Sequence, residues 1–310
     1  MGKQHPLISI VNSQKNGIAR GIYSICSAND YVIEACMERA LKENEYVLIE
    51  ATANQVNQFG GYTGMKPHDF KDFVNNIARK IRFPLEKILL GGDHLGPLNW
   101  KNEHSELAME KSKELIKEYV LAGFTKIHID TSMHLADDDA SKKLDTRVIA
   151  ERGAILCKAS EEAFKQLKMS CIHSIAPVYI VGSEVPIPGG SQQKDEIQIT
   201  KVEDFEETVE AFRDAFVKYG LKEAWENVIA VVVQPGVEFG DESIYEYDRN
   251  AAKELCKALK NYPNLVFEGH STDYQTAYSL KQMVEDGIAI LKVGPALTFA
   301  FREALFALNH

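Results

Sequence analysis

The chain has 310 residues, 45% hydrophobic and 26% charged, with a net charge of −10. This is the profile of a globular protein with a sizeable core, and its acidic balance argues against a surface built for nucleic acid or an anionic membrane. Cys26, Cys36, Cys157, Cys171 and Cys256 form no C-x-x-C pair and read as free thiols of a reducing compartment, so a cytoplasmic location is expected. No apolar signal core follows Met1-Gly2-Lys3-Gln4-His5, and no run approaches transmembrane length.

Residues 1–20 read as a polar lead-in. A first apolar run, Gly21 to Ser27, is followed by a helix over about 30–43, capped by Asn29 or Asp30, with Val32, Ile33, Cys36, Met37 and Ala40 on one stripe. The second run, Tyr46 to Thr52, leads into a polar loop and a helix from Pro67, where proline suits a first turn. The third strand, Lys87 to Asp93, precedes a helix near 104–122. The fourth, Lys126 to Asp130, precedes an acidic loop and a helix near 145–168. The fifth is Val178 to Glu184, then a Gly/Pro loop and a helix near 202–219. The sixth is Val228 to Gln234, with a helix near 249–261. The seventh is Leu265 to His270, with a helix near 274–285, and the eighth is Ile288 to Val293, with a final helix near 296–308. The runs are rich in β-branched residues, as strands covered on both faces should be. Eight strand–helix units in one chain of this length predict a single-domain (β/α)8 TIM barrel spanning 1–310. A doubly wound open sheet would show a glycine-rich fingerprint after its first strand. Here that loop reads Cys26-Ser27-Ala28-Asn29-Asp30.

Barrels of this kind gather their chemistry at the C-terminal ends of the strands. Those ends carry Glu50, Asn54 and Gln55; Asp93 and His94; His128 and Asp130, on one face of their strand; Glu184; Gln234; Glu268 and His270; and Lys292. The stretch Gly91-Gly92-Asp93-His94-Leu95-Gly96-Pro97 stands out, because a buried strand seldom finishes in an acid and an imidazole that lack partners. Either it is a corner of a metal or acid–base site, or Asp93 caps a helix and His94 packs beside it. His94, His270, Glu184 and Asp130 could together ligate a divalent metal with open positions. Such an ion would polarise a substrate carbonyl, with Asp93, Glu50 or Asp130 moving protons. The alternative electrophile is a Schiff base on Lys292 or Lys126. The loops Gly269 to Asp273 and Gly294 to Thr298 either hold a phosphate at a helix N-terminus or serve as ordinary caps. No G-x-S-x-G nucleophile elbow occurs.

Ile49-Glu50-Ala51-Thr52-Ala53-Asn54-Gln55-Val56-Asn57-Gln58-Phe59-Gly60-Gly61-Tyr62-Thr63-Gly64-Met65 closely resembles the most distinctive stretch of the GatZ/KbaZ family, the Z-type subunits of class II D-tagatose-1,6-bisphosphate aldolase. Gly91 to Pro97, Lys126 to Asp130, Gly182 to Pro186, Val233 to Phe239, Gly269 to Thr276 and Leu291 to Ala300 extend the resemblance from about residue 20 onward. Family members continue past the last residue here, so the resemblance leads to the expectation that the family's C-terminal extension lies outside the 310 residues. The resemblance implies a TIM barrel in tagatose 6-phosphate degradation, partnered with a catalytic, zinc-dependent Y-type class II aldolase subunit in an oligomer. The Z subunit is usually described as non-catalytic, supporting the activity and stability of its partner. Some relatives are described instead as metal-dependent epimerases that convert fructose 6-phosphate to tagatose 6-phosphate at C4. Measured against class II aldolases, Asp93-His94 resembles their strand-three pair and His270 their strand-seven histidine. Gln234 stands where a further histidine ligand is expected, and Glu184 is its expected replacement. The resemblance thus implies Asp93, Asp130 and Glu50 as catalytic groups, and His94, Glu184, His270 and Gln234 as ligands of zinc. It places a sugar phosphate against Asn54, Gln55, Ser271, Thr272, Asp273, Lys292, Gly294 and Thr298.

Overall fold

The computed structural model describes residues 4–185, 198–240 and 242–309. Eight parallel strands close into a barrel: β1 (Ile22–Cys26), β2 (Val47–Thr52), β3 (Ile88–Leu95), β4 (Lys126–Ile129), β5 (Val178–Val181), β6 (Val228–Val233), β9 (Val266–Gly269) and β10 (Ile288–Val293), with β10 pairing back onto β1. Between β6 and β9 lies a two-stranded hairpin, β7 (Glu238–Phe239) and β8 (Ile244–Tyr245). Parallel pairing needs crossovers, and helices supply them: α2 (Asp30–Glu43), α3 (Pro67–Ile81), α4 (Ser105–Ala122), α5 (Thr146–Ser170), α6 (Val202–Lys218), α8 (Lys253–Ala258) and α9 (Ala277–Glu285). The short α7 (Lys222–Trp225) follows α6. The Gly/Pro loop expected after β5 lies largely outside the described residues.

Capping follows from the sequence. Asn29 accepts a hydrogen bond from the Val32 N–H, and Pro67 opens α3. The main core lies between strands and helices and includes Ile33, Phe70, Leu115, Ile127, Phe212, Val231 and Phe267. The lower barrel interior is also apolar, with Leu48, Ile180, Val232 and Ile290 packed together.

Residues 1–20 differ from the expected lead-in. Pro6–Lys15 form α1, whose Leu7, Ile10 and Val11 join that lower cluster. The signal was visible in a proline at the first helical position followed by apolar residues at helical spacing. His5 caps this helix: its Nδ1 accepts the Leu7 N–H at 3.1 Å, and its Nε2 lies 3.0 Å from Thr125 Oγ1. Burial lowers its pKa from 6.5 to about 4. The folded state therefore prefers neutral His5. The stability it protects is complete above pH 6.5 and is lost as pH falls from 6.5 to about 4, an effect of roughly 3 kcal/mol. His5→Asn keeps a cap acceptor that does not titrate. Chemical denaturation at pH 7 and pH 4 should show the wild type losing roughly that much more stability than the variant; equal losses would exclude the assignment.

The last helix, α10 (Pro295–Asn309), buries none of its side chains. Phe301 stacks on Tyr31 at the start of α2, 5.0 Å between ring centres, while Pro295, Thr298, Phe299 and Arg302 border the mouth of the barrel.

Candidate active site

Adjacent residues of a strand point to opposite faces, so Asp93 and His94 should not both reach the barrel interior. A β-bulge resolves this. Gly92 pairs with Ile127 and Leu95 with Ile129, so β3 spends one residue more than β4 over the same span. His94 takes a left-handed conformation at φ 48°. Both side chains are buried as a result, at 2% and 3% exposure. The glycines around them are required by space. A Cβ on Gly91 would lie 2.5 Å from Glu50 Oε1, and one on Gly96 would lie 1.7 Å from the Asp130 carbonyl oxygen.

Strand parity supplies the other groups. Lys126, His128 and Asp130 alternate along β4 and its end, and Glu268 and His270 do so on β9 and just past its end. All of them are buried, as are Glu50 and Lys292. The rings of His94, His128 and His270 form a near-equilateral triangle, with centroids 5.0, 5.0 and 5.2 Å apart. One potential ligand atom from each of Asp93, His94, His128 and His270 lies within 4.8 Å of the others.

Each imidazole is held by a carboxylate. His94 Nδ1 is 2.8 Å from Asp130 Oδ2, His128 Nδ1 is 2.8 Å from Asp93 Oδ1, and His270 Nε2 is 3.0 Å from Glu268 Oε1. The His94 backbone N–H also points at His128 Nδ1, at 3.2 Å. The shorter, charge-assisted contact to Asp93 decides the tautomer, and Nδ1 carries the proton. That leaves His128 Nε2 bare, buried without a hydrogen-bond partner, while His94 Nε2 faces Asp93 Oδ2 at 3.6 Å. A metal-binding histidine has this arrangement: one ring N–H on a carboxylate, the other nitrogen free to ligate.

Below the histidines runs a layer of charge. Lys126 Nζ lies 2.7 Å from both Glu50 Oε1 and Glu268 Oε2. Lys292 Nζ contacts Glu50 Oε2 and lies 2.7 Å from Asp93 Oδ2. Burial opposes ionisation of Asp93, but His94, Lys292 and His128 outweigh it and hold the carboxyl well below its usual range. Burial likewise works against Asp130, yet its bond to His94 brings it down to about 2. Burial would lower His94, but Asp93 and Asp130 raise it instead; His270, with burial dominant, falls to about 4. Lys292 is raised well above the ordinary lysine value, since Asp93 and Glu50 outweigh its desolvation.

A cavity of about 830 Å³ opens over this floor. Of the expected groups, Asn54, Gln55, Asp93, His94, His270, Ser271, Asp273, Lys292, Gly294 and Thr298 line it. Others are placed elsewhere. Thr272 donates its hydroxyl to the Lys292 carbonyl. Glu50 and Asp130 are buried behind the lining and serve as charge partners, Glu50 of the two lysines and Asp130 of His94. Glu184 does not reach the histidines: β5 ends at Val181, and the Glu184 side chain, 31% exposed, pairs with Lys143. Gln234 does not reach them either, because its carboxamide oxygen accepts the N–H groups of Gly236 and Val237. The start of α10 is not free for a phosphate, since Asp273 Oδ1 accepts the N–H groups of Gly294 (3.0 Å) and Ala296 (2.8 Å). His128, Glu268 and the double role of Lys126 were not anticipated as parts of the metal cluster, although the alternation of Lys126-Ile127-His128-Ile129-Asp130 already set three polar groups on one face.

Barrel, cavity and histidine triangle define a class: (β/α)8 proteins with a metal-ready centre at the C-terminal mouth. The barrel itself is shared with solved aldolases at low identity. The YdjI aldolase from Escherichia coli K12 is 14% identical at a TM-score of 0.59, covering 98% of this chain and 87% of that one. A fructose-bisphosphate aldolase from Campylobacter jejuni is 14% identical at 0.61, covering 96% and 77%.

The chain belongs to the family of D-tagatose-1,6-bisphosphate aldolase subunit GatZ/KbaZ-like proteins, which it matches over residues 7–310. A D-tagatose-1,6-bisphosphate aldolase subunit GatZ from Klebsiella pneumoniae is 52% identical over 300 residues, covering 96% of this chain and 69% of the relative. A crystal structure from Sinorhizobium meliloti 1021, described as a probable tagatose 6 phosphate kinase, is 49% identical with a TM-score of 0.83, covering 93% and 68%.

Proposed function

We propose that the chain is the Z-type component of a D-tagatose-1,6-bisphosphate aldolase, working with a catalytic class II subunit, and that its own barrel mouth is a divalent-metal centre facing a ketose phosphate. The relationship to GatZ subunits, 52% identity across 96% of the chain, supports the subunit role. One observation carries the metal. Three buried histidines, each anchored on a carboxylate, bring one ligand atom apiece within 4.8 Å of one another and of Asp93, and His128 Nε2 is buried there without a hydrogen-bond partner. A buried polar atom without a partner is costly. A divalent cation held by His94, His128 and His270 would supply that partner and complete a three-histidine set suited to zinc. The expected ligands Glu184 and Gln234 are replaced in this reading by His128.

Bound there, such a cation would supply Lewis-acid polarisation of a substrate carbonyl. The chain's own groups do the rest. Asp93 lines the cavity and is held ionised by His94, Lys292 and His128, so it presents a fixed negative charge that can accept a hydrogen bond from a substrate hydroxyl. Lys292, beside it, keeps that carboxylate oriented. Glu50 and Asp130 hold the floor without touching the cavity. A Schiff-base reading gains no support: Lys126 and Lys292 are clamped between carboxylates as ammonium ions and offer no free amine.

The completeness of this cluster favours a second reading, a metal-dependent ketohexose-phosphate 4-epimerase working by retro-aldol cleavage and re-addition. A chain that only supports a partner has no physical need for three carboxylate-anchored histidines under an open cavity. Purified alone, the chain should take up close to one equivalent of zinc, and with its class II partner should co-elute and raise cleavage of tagatose 1,6-bisphosphate. Failure to associate or to raise cleavage would overturn the subunit reading. Chelator-sensitive conversion of fructose 6-phosphate to tagatose 6-phosphate by the chain alone would establish the epimerase; no conversion by zinc-loaded chain would exclude it.

A further inference from the structure

Lys126 has no place in the chemistry above. It is fully buried on the inward face of β4, two residues before His128, and is absent from the cavity lining. It can neither touch a substrate nor ligate a metal as an ammonium. Yet its Nζ lies 2.7 Å from Glu50 and 2.7 Å from Glu268, and each carboxylate passes the contact on through its other oxygen. Glu268 Oε1 holds His270 at 3.0 Å. Glu50 Oε2 holds Lys292, Lys292 holds Asp93, and Asp93 holds His128. Two of the three rings therefore trace back to one ammonium. The third is held mainly from elsewhere: His94 Nδ1 is anchored by Asp130 at 2.8 Å, whose other oxygen accepts from Ser132, and only the longer 3.6 Å approach of its Nε2 to Asp93 Oδ2 touches this path. The two Lys126 contacts have ion-pair distances without hydrogen-bond angles, so charge alone holds them.

We infer that Lys126 is the positioning residue of the metal centre, fixing His270 through Glu268 and His128 through the chain of Glu50, Lys292 and Asp93. The inference rests on the metal reading. It goes beyond that reading because it says which buried group sets the affinity. Carboxylates that orient metal-binding histidines change affinity about 10- to 100-fold when lost. Lys126 stands one contact further out, and without it both of its carboxylates are free to turn away from their partners.

The test is zinc affinity by chelator competition, with the cobalt(II) absorption spectrum as a reporter of ligand geometry and near-ultraviolet circular dichroism as the check on folding. Lys126→Met should weaken zinc binding about 10- to 100-fold and alter the cobalt spectrum in a folded protein. A merely structural lysine would change stability and leave both unchanged. Combinations then separate the branches. Lys126→Met and Glu268→Gln act along one path, so the double variant should bind much more tightly than the product of the two losses predicts. Lys126→Met and Asp130→Asn act on different rings, so their losses should multiply. If Lys126→Met does not fold, Lys126→Met/Glu50→Gln removes one charge of each sign and carries the same comparison with Glu268→Gln. Wild-type affinity and spectrum in a folded Lys126 variant, or independent losses with Glu268→Gln, would overturn the inference while leaving the metal centre intact. A wild-type chain that binds no zinc would overturn the metal reading itself.

Discussion

His128→Ala should reduce zinc affinity by more than about 100-fold, beyond the usual effect of removing an outer partner, while Glu184→Gln and Gln234→Ala leave it unchanged. His128 contributes the bare, buried Nε2 and one corner of the histidine triangle. Removing it leaves two imidazoles for a site that needs three to hold zinc with one position open. It also frees Asp93 Oδ1, so any turnover on a ketose phosphate should fall with the metal. Glu184 faces solvent with Lys143, and Gln234 closes its own turn. Titration of zinc into the three purified variants decides the matter: tight binding by His128→Ala, or loss of binding in Glu184→Gln, would sink the ligand assignment.

The second large effect is expected at Gly96. Its backbone is extended, at φ 174°, so the constraint is one of space. A Cβ there would sit 1.7 Å from the Asp130 carbonyl oxygen, an atom that cannot swing aside as a side chain does. Asp130 N–H donates to Leu95 O at 3.0 Å, so Gly96→Ala must break the join between β3 and β4 where both enter the site. A loss of roughly 3–5 kcal/mol is expected, at the upper end for single substitutions. Gly64→Ala is the control: it too puts a methyl group on a glycine, with nothing within 4 Å of its Cβ. The positive φ of Gly64, 77°, makes that change strained as well, by only about 1 kcal/mol. Urea denaturation of the two variants should rank them in that order, and a Gly96→Ala protein as stable as the control would show that the β3–β4 junction gives way easily.

Much of the barrel was legible because buried parallel strands announce themselves as short β-branched runs. The eighth strand, Ile288 to Val293, has the observed limits, and helix α2 begins beside the expected Asn29 cap. Elements with little sequence signal were not legible. The hairpin of β7 and β8 has two residues per strand, too few for alternation to register. The site was half legible for the same kind of reason. Asp93, His94 and His270 carry the chemistry expected of strand ends. Glu184 stands at the polar end of the fifth apolar run, but the strand itself stops at Val181, three residues earlier, and leaves Glu184 outside the barrel. His128 shares a face with Asp130, as strand parity already shows in the sequence, but its place inside β4 gives no local sign that it joins His94 and His270 as a ligand. The three carboxylate–histidine pairs join residues 2, 35 and 36 positions apart, and no local pattern exposes the longer two.

The bulge in β3 also acts as a phase shift. Ahead of it, side chains obey the ordinary in–out alternation; at it, one surplus residue lets Asp93 and His94 share an inward direction. Identity and phase are then separate requirements. Replacing either side chain removes one group and leaves the frame standing. Losing the neighbouring Gly92 would instead return the strand to regular alternation and turn one of the two outward, although both letters were preserved. For this protein a missing codon in β3 is therefore a graver lesion than a changed one.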